Sequence, residues 1–407
     1  MKQKSKYFYL FITTIFLISG CKKTTESGVE WGSADFSSFV AIGNSLTAGV
    51  ADGALYEDSQ KNSFPNLIAQ AAEINDFEQP LMGGNGYSYN EEDGRLSIVF
   101  GAALDLVFLE PGDEKNRGLN RAYNNLGIPL IRANQVYTAK TSVEANSNHF
   151  VNKILRNSGK TQLQEALSLE PTLMTLWIGN NDVLEAATLG LADANSAYTE
   201  PNDFETHFTN IVNELLAGSD APILVANIID LTDLPYFTSL PSSVEFDGND
   251  LYLFGDCEEG IRELTDDDLV LFWALPDYLT FSSTGNVSQA NALNDTLILD
   301  VDEKNEIKKI INDYNRIIKQ IVESNSQLHL VDVYTLFKNI AQDGYEINDQ
   351  TYSKDIIYFD EDGTLGFHKT LFSFDGLHPN QFGYMSIANA FIEKINTTFG
   401  ANIPVYE

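Results

Sequence analysis

The sequence is poor in cysteine and in positive charge, and both shortages exclude classes of protein. It has two cysteines in 407 residues, Cys21 and Cys257, which are too few for a framework of disulfides. It has 25 lysines and arginines against 58 aspartates and glutamates, so its formal net charge is -33. Because such a surface repels phosphate backbones, we expect no nucleic acid among its partners.

The sequence also lacks an apolar run long enough to span a membrane, which needs about 20 residues. Residues 7–18 form a shorter apolar run that follows three lysines. The run leads into the sequence Ile18-Ser19-Gly20-Cys21. This pattern is typical of a signal peptide, here residues 1–20. Its end resembles the lipobox of bacterial lipoproteins, which implies cleavage before Cys21 and a lipid on the Cys21 sulfur. The alternative is an ordinary signal peptide with an incidental cysteine.

A lipid anchor predicts a protein of the cell envelope, on the periplasmic or the surface face of the outer membrane. Two or more acyl chains anchor a protein stably, so we expect the membrane to be contacted through the lipid alone. Residues 21–37 are polar, and we interpret them as a tether between lipid and domain. We expect the chain to be a monomer.

Buried strands alternate with amphipathic helices along the rest of the chain, which predicts a parallel sheet covered on both faces. The predicted strands are residues 38–42, 172–178, 223–229 and 328–333. The predicted helices, from the spacing of apolar residues, are residues 65–74, 204–216, 307–321 and 382–395. Two stretches, about 83–124 and 230–300, follow neither pattern and are predicted insertions, the first lying over the active-site face.

A Gly-Asn-Ser-Leu motif at residues 43–46 follows the first predicted strand. Where a strand ends and a helix begins, backbone N–H groups are unpaired and the helix dipole is positive. Both effects would stabilise the oxyanion formed if Ser45 attacked a carbonyl carbon. The alternative is that Ser45 only caps the helix.

Two further motifs carry groups that such chemistry needs. Gly-Asn-Asn-Asp at residues 179–182 follows a predicted strand, where an asparagine amide can donate to an oxyanion, although an Asx turn would also explain it. In Asp375-Gly-Leu-His378 the spacing of three puts both side chains on the same side of one turn. The carboxylate could then hold the imidazole, whereas a surface turn would leave the histidine solvated.

The order of the three motifs resembles that of the SGNH (GDSL-type) hydrolases, over about residues 38–400. The resemblance implies a flavodoxin-like three-layer α/β/α domain with a mostly parallel five-stranded sheet. It implies action on esters without a metal or an organic cofactor. It also implies that Ser45 is the nucleophile, that His378 and Asp375 are its partners, and that Asn181 and the N–H of Ser45 receive the oxyanion.

Two positions depart from the family pattern. The aspartate that usually precedes the serine is Asn44, a change that the superfamily tolerates. The glycine whose N–H joins the oxyanion hole aligns with Leu130, whose side chain would crowd the pocket. Gly127 is the competing candidate, so the identity of this backbone donor stays open.

We therefore predict a serine esterase of the carboxylesterase or lipase type. The motifs do not specify the acyl or the alcohol part of the substrate. A glycan O-acetyl esterase is one alternative. The aromatic residues of the second insertion could stack on sugars, as this alternative requires, or they could line an acyl groove. A surface lipoprotein that binds a ligand on the same scaffold without catalysis is the other.

Overall fold

The computed structural model describes residues 28–100, 104–189, 198–257, 260–356, 358–359, 365–366 and 369–407. The predicted signal peptide and Cys21 lie outside the described residues. At the centre is a sheet of four parallel strands whose order in the sheet is their order in the chain. These strands are β1 (Phe39–Gly43), β2 (Leu173–Trp177), β3 (Ile223–Ala226) and β4 (Leu328–Val331).

The fifth strand that we expected is only partly formed, at the edge of the sheet beside β1. Residues 124–128 run parallel to β1 and share three hydrogen bonds of 2.8–3.0 Å with it, but only Asn125 forms a bridge. The two asparagines and the glycine of this segment have low strand propensity. When the segment is counted, the strand order becomes second, first, third, fourth, fifth, which is the flavodoxin-like order. The predicted fold class is thus confirmed.

One pair of helices brings together residues that are distant in the sequence. Phe64–Ala71 packs against the closing helix Gln381–Phe399. Phe64 stacks on Phe391 with ring centroids 4.6 Å apart, and it meets Trp177 of β2 edge-on at 5.8 Å. Both helices were predicted from their apolar spacing.

Four other helices form a second group that packs together. Its members are Ala133–Thr138, Gln162–Leu167, Pro201–Gly218 and Val301–Glu323. Phe204 stacks on Tyr314 with ring centroids 4.0 Å apart. All residues of β1, β2 and β3 are buried, as expected for strands covered on both faces. Among the described residues, none of the helices combines the length and the apolar character that crossing a bilayer requires.

The predicted insertions contain several short antiparallel strand pairs. The first contains the pair Leu96–Phe100 and Leu104–Phe108. The second has its own small apolar core and contains the pairs Ser243–Phe246 with Asn249–Tyr252, Phe254–Cys257 with Gly260–Glu263, and Leu269–Val270 with Ile298–Leu299. A further pair, Tyr345–Ile347 with Gln350–Tyr352, was not predicted, because three-residue strands are too short to show a period.

The remaining elements are short. The other helices of four or more residues are Ser45–Ala48, Glu57–Lys61, His149–Leu155, Asn181–Leu189, Pro235–Thr238, Leu275–Thr284 and Val333–Asp343. The other strands are Ala54–Leu55, Met82–Gly83, Tyr87–Ser88, Asp113–Glu114, Tyr358–Phe359 and Leu365–Gly366.

Residues 28–37, which we expected to be part of the tether, pack on the domain. Phe36 is only 1% exposed, and its ring contacts those of Trp31 and Phe39 at 5.3 and 5.7 Å. The indole nitrogen of Trp31 donates to the carbonyl oxygen of Ala72 at 3.0 Å. The stretch is polar on average, so the burial of its aromatic residues was not predicted. The free energy gained by burying them exceeds the conformational entropy that a free tether would keep.

Candidate active site

Ser45 lies where β1 gives way to a helix. It is the first residue of the short helix Ser45–Ala48, and Asn44 caps that helix by accepting the N–H of Leu46 on Oδ1 at 3.0 Å. An aspartate would cap in the same way, which explains why asparagine preserves the turn. The N–H of Ser45 has no acceptor within the described residues, and it lies at the positive end of the helix.

A tight turn at residues 375–378 joins the predicted aspartate and histidine. Asp375 Oδ1 accepts the backbone N–H groups of Leu377 and His378 at 2.9 and 2.8 Å. Gly376 has a φ of 68°, and a side chain there would lie 2.7 Å from the backbone nitrogen of Tyr236. The glycine is therefore required by both conformation and space.

The three side chains form one continuous chain of hydrogen bonds. Asp375 Oδ2 lies 2.8 Å from His378 Nδ1, and His378 Nε2 lies 3.0 Å from Ser45 Oγ. All three residues are buried. The structure thus brings together a serine and a histidine that are 333 positions apart in the sequence.

A turn at residues 51–54 lies next to Asp375. Ala51 and Ala54 exchange backbone hydrogen bonds of 3.1 and 3.0 Å. The two residues between them, Asp52 and Gly53, have φ values of 51° and 67°. Positive φ at both central residues is the mark of a type I′ turn, for which Asp-Gly is a favoured sequence.

This turn holds the segment that carries Asp375. The N–H of Gly53 donates to Asp375 Oδ2 at 2.7 Å, and the N–H of Asp52 donates to Ser373 Oγ at 2.8 Å. Asp52 Oδ1 accepts the N–H of Phe374 at 3.1 Å, and Ser373 Oγ donates to Asp375 Oδ1 at 3.2 Å. No sequence motif predicted these contacts, although Asp52-Gly53 is a favoured pair for a tight turn.

The two neighbouring carboxyl groups are shifted in opposite directions. Burial raises the pKa of Asp375, but the charge of His378 and the hydrogen bonds from His378 and Leu377 outweigh it and hold the pKa below 3.8. Burial raises the pKa of Asp52 above 3.8 in spite of hydrogen bonds from Tyr56 and Phe374. Asp375 is therefore held as the anion beside the imidazole.

Asn181 begins the helix that follows β2, next to the cleft. Its Nδ2 donates one hydrogen to the carbonyl oxygen of Ile131 at 3.0 Å, and no described residue accepts the second hydrogen. Asp182, which we had not singled out, fixes this helix start by accepting the N–H of Ala133 at 2.9 Å. Burial raises the pKa of Asp182 to about 6.

The structure separates the two candidates for the second backbone donor. The N–H of Gly127 donates to Asn125 Oδ1 at 3.0 Å, and a side chain at Gly127 would lie 2.2 Å from the nitrogen of Ala48. Gly127 is thus wrong as an oxyanion donor, because its N–H is occupied and it serves close packing. Leu130 has a φ of 62°, which glycine would adopt without strain, and its N–H has no acceptor in the described part of the chain.

A cleft of about 740 Å³ lies beside these groups. The side chain of Leu130 lines it together with Asn181 and with Leu377, the neighbour of His378. Trp273 of the second insertion and Tyr89 of the first also line it. The first insertion thus reaches the active-site face, as predicted, and so does the second.

Tyr89 makes a contact that the sequence did not indicate. Its hydroxyl oxygen lies 3.2 Å from His378 Nε2, the same nitrogen that contacts Ser45. No motif surrounds Tyr89, so only the folding of the insertion over the site reveals it.

Comparison with known families agrees with this geometry. The model of the GDSL-like lipase/acylhydrolase family matches residues 39–391. The chain belongs to this family. The GDSL-type (SGNH) resemblance found in the sequence is thereby confirmed, and the chain is an ester-bond hydrolase.

Solved structures resemble this GDSL-family chain at low sequence identity. LAE5, an alpha/beta hydrolase enzyme from the metagenome of Lake Arreo in Spain, is 12% identical, with 90% of this chain and 98% of that chain covered and a TM-score of 0.38. Axe2, an acetylxylan esterase from Geobacillus stearothermophilus, is 12% identical, with 89% and 96% covered and a TM-score of 0.40. The family 3 carbohydrate esterase of Clostridium thermocellum is 14% identical, with 88% and 96% covered and a TM-score of 0.32. No curated protein sequence matches the chain.

Replacing each carboxyl group of the GDSL-family site by an amide tests the opposite pKa shifts. Near pH 7 we expect Asp375→Asn to lower the free energy of unfolding by about 3 kcal/mol, because several donors lose an anionic acceptor. The stabilisation by Asp375 is present above pH 3.8, its unfolded pKa, and is lost as the pH falls through the lower folded-state pKa. The difference from wild type should therefore shrink in acid.

Asp52→Asn is the matched control for this measurement. The folded-state pKa of Asp52 is raised, so its contribution is present below pH 3.8 and is lost as the pH rises through the folded-state pKa. Urea titrations of both variants and the wild type between acidic and neutral pH give the two trends. The same pH trend in both variants would contradict the assignment.

Proposed function

We propose that this ester hydrolase works through an acyl-enzyme formed on Ser45. The observation that carries the proposal is the hydrogen-bonded chain from Asp375 through His378 to Ser45, with contacts of 2.8 and 3.0 Å. His378 Nε2 takes the hydroxyl proton while Ser45 Oγ attacks the carbonyl carbon. Asp375 orients the imidazole and stabilises its charged form.

The imidazolium then gives its proton to the leaving alcohol. In the second half of the reaction, His378 removes a proton from water, which attacks the acyl group and frees Ser45. For the oxyanion we propose the N–H of Ser45, the N–H of Leu130 and the amide of Asn181 as donors, since each has a hydrogen without an acceptor among the described residues. One such donor typically lowers the barrier by about 3–4 kcal/mol.

The variant Ser45→Ala tests the nucleophile. We expect hydrolysis of p-nitrophenyl butyrate to fall by about 10⁴-fold or more, because no acyl-enzyme can form. A fluorophosphonate probe should label the wild type and not the variant. Ser386→Ala, which also removes a buried serine hydroxyl but lies in the closing helix, outside the hydrogen-bonded chain of the site, should be labelled like the wild type.

The same probe separates the enzyme from a surface lipoprotein that only binds a ligand. A non-catalytic scaffold would leave Ser45 unlabelled in the wild type, and it would turn over none of the esters. Turnover by a folded Ser45→Ala variant would reject the acyl-enzyme mechanism.

For the substrate, we propose a carboxylic ester with an apolar acyl or alkyl part. The support comes from exposed apolar side chains, which are costly in water unless they serve a contact. Four large hydrophobic residues that are more than a third exposed line this one cleft, namely Tyr89, Leu130, Leu189 and Trp273. An acetyl group alone would cover little of that surface.

Chain length and Trp273 test this substrate proposal. We expect the specificity constant kcat/KM to be higher for p-nitrophenyl octanoate than for the acetate, and Trp273→Ala to raise KM for the octanoate by about 10-fold through lost apolar contact. Leu279→Ala removes an equally exposed residue of the same insertion outside the cleft and should change neither constant. Faster deacetylation of acetylated oligosaccharides than cleavage of the octanoate would favour a glycan O-acetyl esterase instead.

We also propose that Cys21 carries a lipid anchor that holds the enzyme at the cell envelope. The support is the sequence alone, namely the short apolar run that ends in Ile18-Ser19-Gly20-Cys21. Cys21→Ser should abolish the incorporation of labelled palmitate in cells and release the protein from the membrane fraction. Cys257→Ser, which replaces a buried free thiol, should keep both properties. Membrane retention of Cys21→Ser without palmitate label would contradict the proposal.

A further inference from the structure

Two hydroxyl groups compete for one nitrogen in the site. Ser45 Oγ lies 3.0 Å and the Tyr89 hydroxyl 3.2 Å from His378 Nε2. Because Nδ1 donates its hydrogen to Asp375, the neutral imidazole has a single lone pair, on Nε2. One hydroxyl at a time can therefore donate to it, and the mechanism proposed above uses only Ser45.

Tyr89 combines access to the base with access to the cleft. Its hydroxyl has no other hydrogen bond to a described side chain or backbone group. Protein groups surround the hydroxyl and raise its pKa well above 10, although 37% of the whole residue remains exposed. The phenol is thus a neutral O–H donor at neutral pH.

The backbone on both sides of Tyr89 is held in place. Tyr87–Ser88 pairs with Ala54–Leu55, and the carbonyl oxygen of Ser88 lies 2.9 Å from His149 Nε2. On the other side, Glu91 accepts a hydrogen bond from Lys153 Nζ at 2.7 Å. The ring is therefore presented from a fixed segment rather than from a loose loop tip.

The position of the hydroxyl coincides with the path of the departing alcohol. Any oxygen that receives the proton from His378 Nε2 must come within about 3 Å of that nitrogen. Two oxygens that lie that close to one nitrogen are within hydrogen-bonding reach of each other when both approach it from the same side. Tyr89 lines the cleft from which the ester enters, so its hydroxyl and the leaving oxygen approach Nε2 from the same side.

We propose that Tyr89 is a catalytic residue that donates a hydrogen bond to the leaving alcohol oxygen, a role that depends on the acyl-enzyme mechanism above. As the bond between the carbonyl carbon and this oxygen breaks, the electron pair stays on the oxygen. The proton that the oxygen gains comes from His378 Nε2, which had taken it from Ser45. Tyr89 keeps its own proton and stabilises the charge that builds up before the transfer is complete.

This role makes the contribution of Tyr89 depend on the leaving group. An alkoxide oxygen carries a concentrated charge and needs a donor, whereas a nitrophenolate spreads its charge over the ring. Loss of the phenol hydroxyl should therefore slow the cleavage of alkyl esters much more than that of nitrophenyl esters. A residue that only held Ser45 and His378 in place would affect two esters of the same acid alike.

The test compares Tyr89→Phe with the wild type on ethyl butyrate and p-nitrophenyl butyrate, which share one acyl group. We expect kcat/KM, which reports the steps up to release of the alcohol, to fall by about 30-fold for the ethyl ester and by less than about 3-fold for the nitrophenyl ester. Tyr137→Phe is the matched control, since its hydroxyl also contacts a histidine, His207 Nδ1, at 2.8 Å but outside the cleft. It should change neither value.

Other outcomes overturn the assignment. An equal fall for both esters would make Tyr89 a structural residue, and an unchanged or increased rate for the ethyl ester would exclude a donor to the leaving oxygen. These results are distinct from a failure of the acyl-enzyme proposal, which would appear as nitrophenyl ester turnover by Ser45→Ala. Fluorophosphonate labelling of Tyr89→Phe at the wild-type rate confirms that Ser45 and His378 remain in place.

Discussion

The site depends on the docking of the segment around Asp375 onto the turn at residues 51–54. Backbone N–H groups of Asp52 and Gly53 donate to Ser373 and Asp375, and Asp52 accepts the N–H of Phe374. These bonds join parts of the chain more than 320 residues apart. They fix the carboxylate, which in turn fixes the imidazole against Ser45. A loop closure of this length is entropically costly, so buried and charge-assisted hydrogen bonds are needed to hold it.

The parallel sheet positions the remaining groups of the site, Ser45 and Asn181. Ser45 and Asn181 follow β1 and β2, which are neighbours in the sheet, although the two residues are 136 positions apart in the sequence. The segment at residues 124–128 pairs with the other edge of β1. The connection after β1 therefore leads to one side of this strand, and the connection after the segment leads to the other side. A crevice at the carboxyl ends of the strands results, and both helix starts present to it donors that have no acceptor among the described residues.

The two insertions contribute side chains to the cleft that the parallel sheet and its helices do not supply. Tyr89 comes from the first insertion and Trp273 from the second, and both line the cleft beside the serine. The second insertion has a small apolar core of its own, and the neighbours of Trp273 in the chain belong to both cores, Phe272 to the main one and Ala274 to the small one. In our proposals, the attack on the ester thus depends on the frame of parallel sheet and helices, whereas the choice of ester and the handling of its alcohol depend on the insertions.

The sequence by itself determined the sheet, its main helices and the three site motifs. Long apolar periods and the motifs at residues 43–46, 179–182 and 375–378 are local signals, because strand ends, caps and tight turns are specified by neighbouring residues. Only the tertiary structure decided the packing of residues 28–37, the hydrogen bond that occupies the N–H of Gly127, and the contact of Tyr89 with His378. Each of these depends on which distant groups occupy the same space and which hydrogen bonds they take up, and no local pattern encodes that.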